Sequence, residues 1–440
     1  MDSASHLHLF GDSNRREIIV LTAIIARVKI YISLLQLRPK YRYLWLAQVI
    51  SLAGDWFNTI ASVIIINRYT TSGLALGGLF IARALPPFLL GPVAGVVADR
   101  FDRRKVLIAS DILRAVIVLG FLLVDRPERL WLMYVLTVLQ FSVSTFFEPA
   151  RAALTPSLVE TDELLNANTL ASITWSAMLT LGGAIGGVTA SYFGVPVSLV
   201  VDAASFLVSA MLVASITGEF RSQMAHALDS GWKNFIDGMK YVRKNLDVGF
   251  VTLVKAFGQV GSFDIIAALY AARLFPYGQE GATTLGLMFT AFGLGAVIGP
   301  LIANRFGDAS ASWLRRAILG GFLFMPLAWF IIGTATSFPI VLIGCVIRGM
   351  GGSINWTYSD VLLQMTVPDH FLGRVFAFDF GVYTLAVSVS LWLTGFSIDE
   401  FQFAPRTIVL ILAAGSLLPL AVWSAALRMQ FKSHTAEKSQ

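Results

Sequence analysis

Apolar residues along this chain gather into runs of about twenty, separated by short polar or Gly/Pro-containing connections, and the runs recur to the C-terminal end. A helix needs ~20 apolar residues to cross ~30 Å of hydrocarbon, so each run predicts a membrane-spanning helix. Twelve are found. The first six lie near 44–66, 74–97, 106–124, 130–148, 167–190 and 197–216, and the second six near 251–273, 284–303, 317–333, 339–363, 375–397 and 405–427. The pattern predicts an all-α polytopic membrane protein with an N-terminal segment over 1–43, a six-helix bundle over 44–216, a linker over 217–250, a second six-helix bundle over 251–427 and a tail over 428–440. A membrane barrel would alternate in strands of ~10 residues, and continuous apolar runs exclude it.

Composition narrows the class. The chain has 440 residues, 56% hydrophobic and 14% charged, against about 25% charged in soluble domains. A soluble enzyme is excluded on that balance. The single cysteine, Cys345, rules out a disulfide within the chain, and no Cys/His cluster suggests a metal. No Gly-x-x-x-x-Gly-Lys-Ser/Thr loop and no nucleophile–His–acid set are present, so neither an enzyme nor a cofactor is expected.

Charge sets the orientation, because basic connections stay cytoplasmic. With both termini inside, the inside segments hold 24 of the 33 Lys and Arg, and the outside loops hold five: Arg68, Arg126, Arg129, Arg273 and Arg406. Both termini are therefore expected in the cytoplasm. The net charge of +6 is a topology signal and calls for no nucleic-acid partner. Two other segments need separate treatment. Residues 18–37 are apolar enough to mimic a span, but Arg27 and Lys29 at the centre would cost roughly 5–7 kcal/mol on insertion, so an interfacial helix is expected. In the linker, Trp232, Phe235, Ile236, Met239 and Val242 alternate with Lys233, Lys240, Arg243 and Lys244, which predicts an amphipathic helix suited to the inner membrane surface, or a simple connector.

The halves repeat. Gly91-Pro92 precedes Ala98-Asp99-Arg100-Phe101 after the second run, and Gly299-Pro300 precedes Ala303-Asn304-Arg305-Phe306 after the eighth. Each half has an even number of spans, so the second copy enters from the same side as the first and the repeat is parallel. Such halves can rock about a site at the midplane.

Between the second and third runs stands Gly95-Val96-Val97-Ala98-Asp99-Arg100-Phe101-Asp102-Arg103-Arg104-Lys105. It resembles the Gly-x-x-x-Asp-Arg-x-Gly-Arg-Arg/Lys signature of the major facilitator superfamily. Asp102 departs from it where glycine is usual. Together with Asp111-Ile112-Leu113-Arg114, Phe147-Glu148-Pro149-Ala150-Arg151 and Leu372-Gly373-Arg374, Asp102 resembles the drug–proton antiporter branch that includes macrolide exporters and the enterobactin exporter. The resemblance covers approximately residues 44–427. It implies the major facilitator fold, location in a bacterial inner membrane, function as a monomer, and a cytoplasmic latch at Gly95, Asp99, Arg100, Asp102, Arg103 and Arg104. Gly95 is expected to allow close helix approach. In the fifth run, Gly182-Gly183-Ala184-Ile185-Gly186-Gly187 is similar to the superfamily's antiporter motif, with Gly183 in place of proline. Its two small-xxx-small pairs, Gly182/Gly186 and Gly183/Gly187, suit helix packing.

Charge in lipid is costly, so five residues placed deep in the runs are candidates: Asp55, Arg83, Arg114, Asp264 and Arg348. Asp111, Glu148, Asp202, Asp360 and Asp379 fall nearer the ends. Asp55 and Asp264 lie on repeat-equivalent runs and are the candidates for proton coupling; the alternative is a permanent ion pair such as Asp55 with Arg83. Arg83 or Arg348 is expected to meet an anionic group of the substrate, and Arg114 to pair with Asp111 three residues earlier. Gln48, Asn58, Gln140, Trp175, Asn355, Trp356 and Tyr358 are candidate cavity residues. The function expected is proton-antiport efflux of an amphipathic, siderophore- or macrolide-like small molecule. A lysophospholipid or drug flippase, an uptake symporter and a non-transporting sensor or assembly subunit are the alternatives. The partners expected are the lipid bilayer, that small molecule and protons.

Overall fold

The computed structural model describes residues 29–218, 220, 231–307 and 310–437, and among them there is helix and no strand. Ten helices are long and apolar enough to cross a membrane. One of these, Leu164–Ala214, is two rods joined where Gly194 takes φ 80° ahead of Pro196. The left-handed region is open to glycine at little cost, and the proline that follows starts the next rod. With that helix counted twice and the interrupted segment 246–274 once, the structure accommodates the twelve crossings read from the sequence.

The first three spans are Pro39–Tyr69, Gly73–Arg100 and Arg103–Gly120. The fourth is Leu130–Ser144 continued by Phe147–Leu154, and the fifth and sixth are the two rods of Leu164–Ala214. In the second half, spans eight to eleven are Ala282–Arg305, Ala311–Thr334, Phe338–Thr366 and Asp369–Phe401. The twelfth is Pro405–Gly415 followed by Leu417–Glu437. Because the spans alternate, both described ends and the loop at 100–103 share one face, called here the basic face.

The seventh span departs from the continuous 251–273 run. It consists of Leu246–Phe257, then Phe263–Leu269 with a π-turn over Tyr270–Leu274. The chain turns through Gly261 at φ 86°, where a Cβ would lie 2.7 Å from Leu412 and 3.1 Å from Trp329. Both exposed ends at the break are satisfied locally. The Gly258 carbonyl accepts from Arg348 at 2.8 Å, the Val260 carbonyl accepts from the Trp329 indole at 3.2 Å, and Ser262 caps the second piece.

The linker also departs from expectation. Helix Gly231–Lys244 does not simply lie on a surface, since it packs along the eleventh span. Phe235 sits against Phe88 of the second span and Phe378 of the eleventh, with ring centroids 6.2 and 5.6 Å away. Gly238 backs onto the Arg374 carbonyl, and Tyr241 stacks on Phe371. One part of its apolar stripe thus finds protein, while Ile236 and Met239 stay exposed. The expected interfacial helix over 18–37 falls mostly outside the described residues. Its end, 29–37, is helical, and Leu34 is buried beside Tyr41 and Leu44.

On the face opposite the basic one, the bundles are sewn together. Asp399 of the eleventh span accepts from Ser72 Oγ at 2.6 Å and from the backbone N–H groups of Gly73 and Leu74 at 2.6 and 3.0 Å, and so caps the second span from across the seam. Arg68 forks onto Glu280 at 2.8 and 3.2 Å, and Arg273 donates to the Thr71 carbonyl at 2.6 Å.

Candidate functional site: a charged chamber between the bundles

Three adjoining cavities lie between the sewn face and the basic face. One of about 560 Å³ belongs to the first bundle, lined among others by Gln48, Asp55, Arg114, Glu148, Arg151 and Trp175. A second, of about 410 Å³, is bordered by Trp56, Lys255, Asp264, Arg348, Trp356 and Tyr383. A third of about 270 Å³ joins them, since Asp55, Arg83 and Asp264 all line it. Trp56, Phe263 and Phe289 form a roof toward the sewn face, with Phe289 5.2 Å from Trp56 and 5.6 Å from Phe263. The chamber runs the other way, toward Glu148 and Asn168 near the basic face.

Backbone geometry places the charges. Asp264 lies in the first turn of the second piece of the broken seventh span, where the helix dipole favours a negative group. Asp55 stands on the unbroken first span, and neither carboxylate forms an ion pair among the described residues. The Asp55–Arg83 ion pair, the alternative to proton coupling, is not formed. Arg83 donates instead to Thr59 Oγ1 at 2.6 Å and lies over the Phe141 ring at 4.7 Å, which leaves Nη1 without a partner. Arg348 uses one edge to cap the broken span and lies 5.5 Å over Trp329. Its first role is thus to hold the break, although it still lines the chamber. Arg114 is paired with Asp111, which also accepts from Ser209 Oγ at 2.6 Å.

The remaining candidates divide by helix rotation. Gln48, Trp175, Asn355 and Trp356 line the chamber. Asn58 accepts from Ser62, Gln140 is buried at 1% exposure, and Tyr358 donates to Asn304 at 2.6 Å; none of these three lines it. Two participants were not among the candidates. Lys255 is buried, donating to Asp360 at 2.6 Å and to Asp379, with Trp356 4.7 Å beneath its ammonium. Asp202 is fully buried behind Asp55.

The loop motif works within the first bundle. Asp102 caps the third span through Lys105 N–H at 2.9 Å and also accepts from Phe220 N–H at 3.0 Å, so it fastens the start of the linker. Partial burial pushes its carboxyl up, but the bonds from Phe220 and Lys105 and the nearby ammonium outweigh this and hold it below its ordinary value. Arg103 donates to the carbonyls of Ala98 and Ala153, and Arg104 to those of Val213 and Ala214. Arg100 is exposed at the end of the second span, and the Asp99 side chain lies outside the described residues. Gly95 corrects the expectation of close approach, because a Cβ there would meet nothing within 4 Å. About two turns away, Phe88 of the second span meets Phe235, which also lies against Phe378 of the eleventh.

The double glycine motif serves two neighbours. A Cβ on Gly182 would strike Trp56, and one on Gly186 would lie 2.9 Å from the Trp56 carbonyl, so this pair seats the first span. Gly183 and Gly187 face the other bundle, where a Cβ would lie 3.0 Å from the Gly286 carbonyl and 2.8 Å from Gly286 Cα, respectively.

Residues 35–440 match the family model described as transmembrane secretion effector. The chain belongs to that family of the major facilitator superfamily. Within the superfamily it is similar to BacE of Bacillus subtilis (strain 168), named as a candidate bacilysin exporter, at 24% identity over 80% of this chain and 87% of that one. Macrolide efflux protein A of Streptococcus pyogenes is 22% identical over 82% and 90%, and the enterobactin exporter EntS of Shigella boydii 24% over 78% and 82%. The solved nucleoside transporter NupG superposes with a TM-score of 0.68 at 13% identity, covering 88% of this chain and 98% of its own, a likeness of fold alone. The superfamily resemblance read from the loop motif thus holds, and the chain is a membrane transporter of small molecules rather than an enzyme.

Proposed function

We propose that this transporter exports an amphipathic small molecule from the bacterial cytoplasm across the inner membrane in exchange for protons, by alternating access. The observation that carries the reading is the joining cavity, where unpaired Asp55 and Asp264, from repeat-equivalent spans, share one space with Arg83. A carboxylate open to a chamber can take a proton from one side and release it on the other. One proton crossing 100 mV supplies ~2.3 kcal/mol, enough for about a forty-fold solute gradient. The three relatives, named for export of bacilysin, a macrolide and enterobactin, support outward transport.

The distribution of Lys and Arg supports a cytoplasmic basic face, which makes the structure an inward-open state sealed outside by Asp399 and the Arg68–Glu280 pair. The chamber's aromatic wall suits an apolar body, and Arg83 and Arg348 suit an anionic group on it. Everted membrane vesicles with an acid lumen test the reading. Addition of siderophores and macrolides, one at a time, is expected to release lumenal protons in wild type, and the response should fall at least tenfold in Asp55→Asn and Asp264→Asn. Proton release that is equal in wild type and both variants would defeat the coupling assignment. Equal export in Arg83→Gln and Arg348→Gln would defeat the anion assignment.

A further inference from the structure

Asp202 sits on the sixth span, 0% exposed, and both its carboxyl oxygens are buried without a hydrogen-bond partner. No other carboxylate among the described residues has both oxygens in that condition. The hydroxyls of its own helix are committed elsewhere: Ser205 Oγ donates to the Asp202 backbone carbonyl at 2.7 Å, and Ser209 Oγ to Asp111. Arg114 of the third span is held by Asp111 and lies over the rings of Phe206 and Phe147 at 4.2 and 4.8 Å. On the first span the carboxyl rests against bare backbone, since a Cβ on Gly54 would lie 2.7 Å from Asp202 Oδ1. The next residue in the chain is Asp55. The charges that reach Asp202 are therefore Asp55 from the first span, Arg83 from the second and Arg114 from the third, with Asp111 already neutralising Arg114.

An ionised carboxylate with no donor in a hydrocarbon-like interior costs several kcal/mol, and a neutral acid much less. The local charge count agrees. Asp55, Asp111, Asp202 and Asp264 face three arginines, Arg83, Arg114 and Arg348, so one proton makes the group neutral. Where two carboxyls share a site, contrasting surroundings divide the roles of acid and base between them.

We infer that Asp202 stores the transported proton in the inward-open state and that Asp55, which lines the chamber, exchanges it with solution. This rests on the proton-antiport reading. In the transfer the Asp202 O–H bond breaks as an O–H bond forms on Asp55, and the pair carries one negative charge before and after; Asp55 then gives the proton to water in the chamber.

The test is infrared difference spectroscopy on the purified full-length chain between acid and alkaline buffer, with the proton as the only ligand. Wild type is expected to show a titrating carboxylic-acid C=O band at the high-frequency position of a carboxyl without hydrogen bonds, shifted in heavy water. Asp202→Asn should abolish that band, whereas Asp55→Asn, which removes one of the acids facing the arginines, should move its titration to lower pH. A band retained in Asp202→Asn, or one in wild type that ignores pH, overturns the inference. If Asp202→Asn fails to elute as a folded protein, Asp202→Glu serves: a displaced band supports the inference and an unmoved one overturns it. Absence of any titrating band in wild type would remove the antiport reading as well. Loss in Asp55→Asn alone would remove only the assignment to Asp202.

Discussion

A buried ammonium is stable only where carboxylates reach it, and Lys255 has two, Asp360 from the tenth span and Asp379 from the eleventh. Removing the deeper partner leaves the ammonium with Asp360 alone and takes one charge-assisted hydrogen bond out of the interior of three packed helices. Asp379→Ala is expected to cost about 1.5–3 kcal/mol, seen as a lower thermal midpoint in detergent; an unchanged midpoint would mean that Asp360 alone satisfies Lys255. Asp102 acts at the surface instead. As an N-cap, its replacement by alanine should cost about 1 kcal/mol, with Asn retaining most of the cap. Its folded-state carboxyl is held below the ordinary value, so the stabilisation is full above about pH 4 and is lost as pH falls through the lowered value. The protection of Phe220 N–H from hydrogen exchange, taken relative to its intrinsic rate at each pH, should therefore fall in acid in wild type and show no such dependence in Asp102→Asn.

At the scale of elements, the break in the seventh span sets the position of Asp264. Gly261→Ala places a Cβ at φ 86° against Leu412 and Trp329, a strain of order 1–3 kcal/mol. Proton release in everted vesicles should fall with it, whereas Gly320→Ala, which meets open space, should leave release unchanged. The break also marks how far the sequence could be read. Apolar runs report transfer from water, so the spans and the six-and-six division were legible. A run over 251–273 looks continuous because Gly258, Val260 and Gly261 cost little in lipid whatever their backbone angles. Rotation about each helix axis was not legible either. Depth along the sequence marked Asp55 and Asp264 but left Lys255 and Asp202 near predicted ends, and it could not separate Trp356, which lines the chamber, from Tyr358, which turns away to Asn304. The double glycine motif was visible as a packing signal, while its two different neighbours were not.

For the whole molecule, the proposed alternating access makes the sewn face the clasp of one of two states. Asp399 binds three donors across the seam. Asp399→Ala should shift the population toward separation of that face by roughly tenfold for each 1.4 kcal/mol lost. Spin labels placed at 126 and 406 would report the longer distance, and an unchanged distribution would show the clasp to be incidental. Gly95 gives the opposite test. Since a side chain there meets nothing in this state, Gly95→Leu should leave the distance distribution of the proposed inward-open form intact and suppress its exchange to the proposed outward-open form.

The seams meet backbone to backbone: Gly73 against the Gly395 carbonyl, Gly77 against that of Leu391, and Gly183 and Gly187 against Gly286. A saturation-mutagenesis map of export would register this as narrow intolerant stripes on four helices, stepping about one turn at a time. Side chains facing lipid, such as Val188 and Leu301, would accept almost any apolar replacement. Selection for altered cargo should then find its variants among the chamber aromatics, because the seams leave no room for drift.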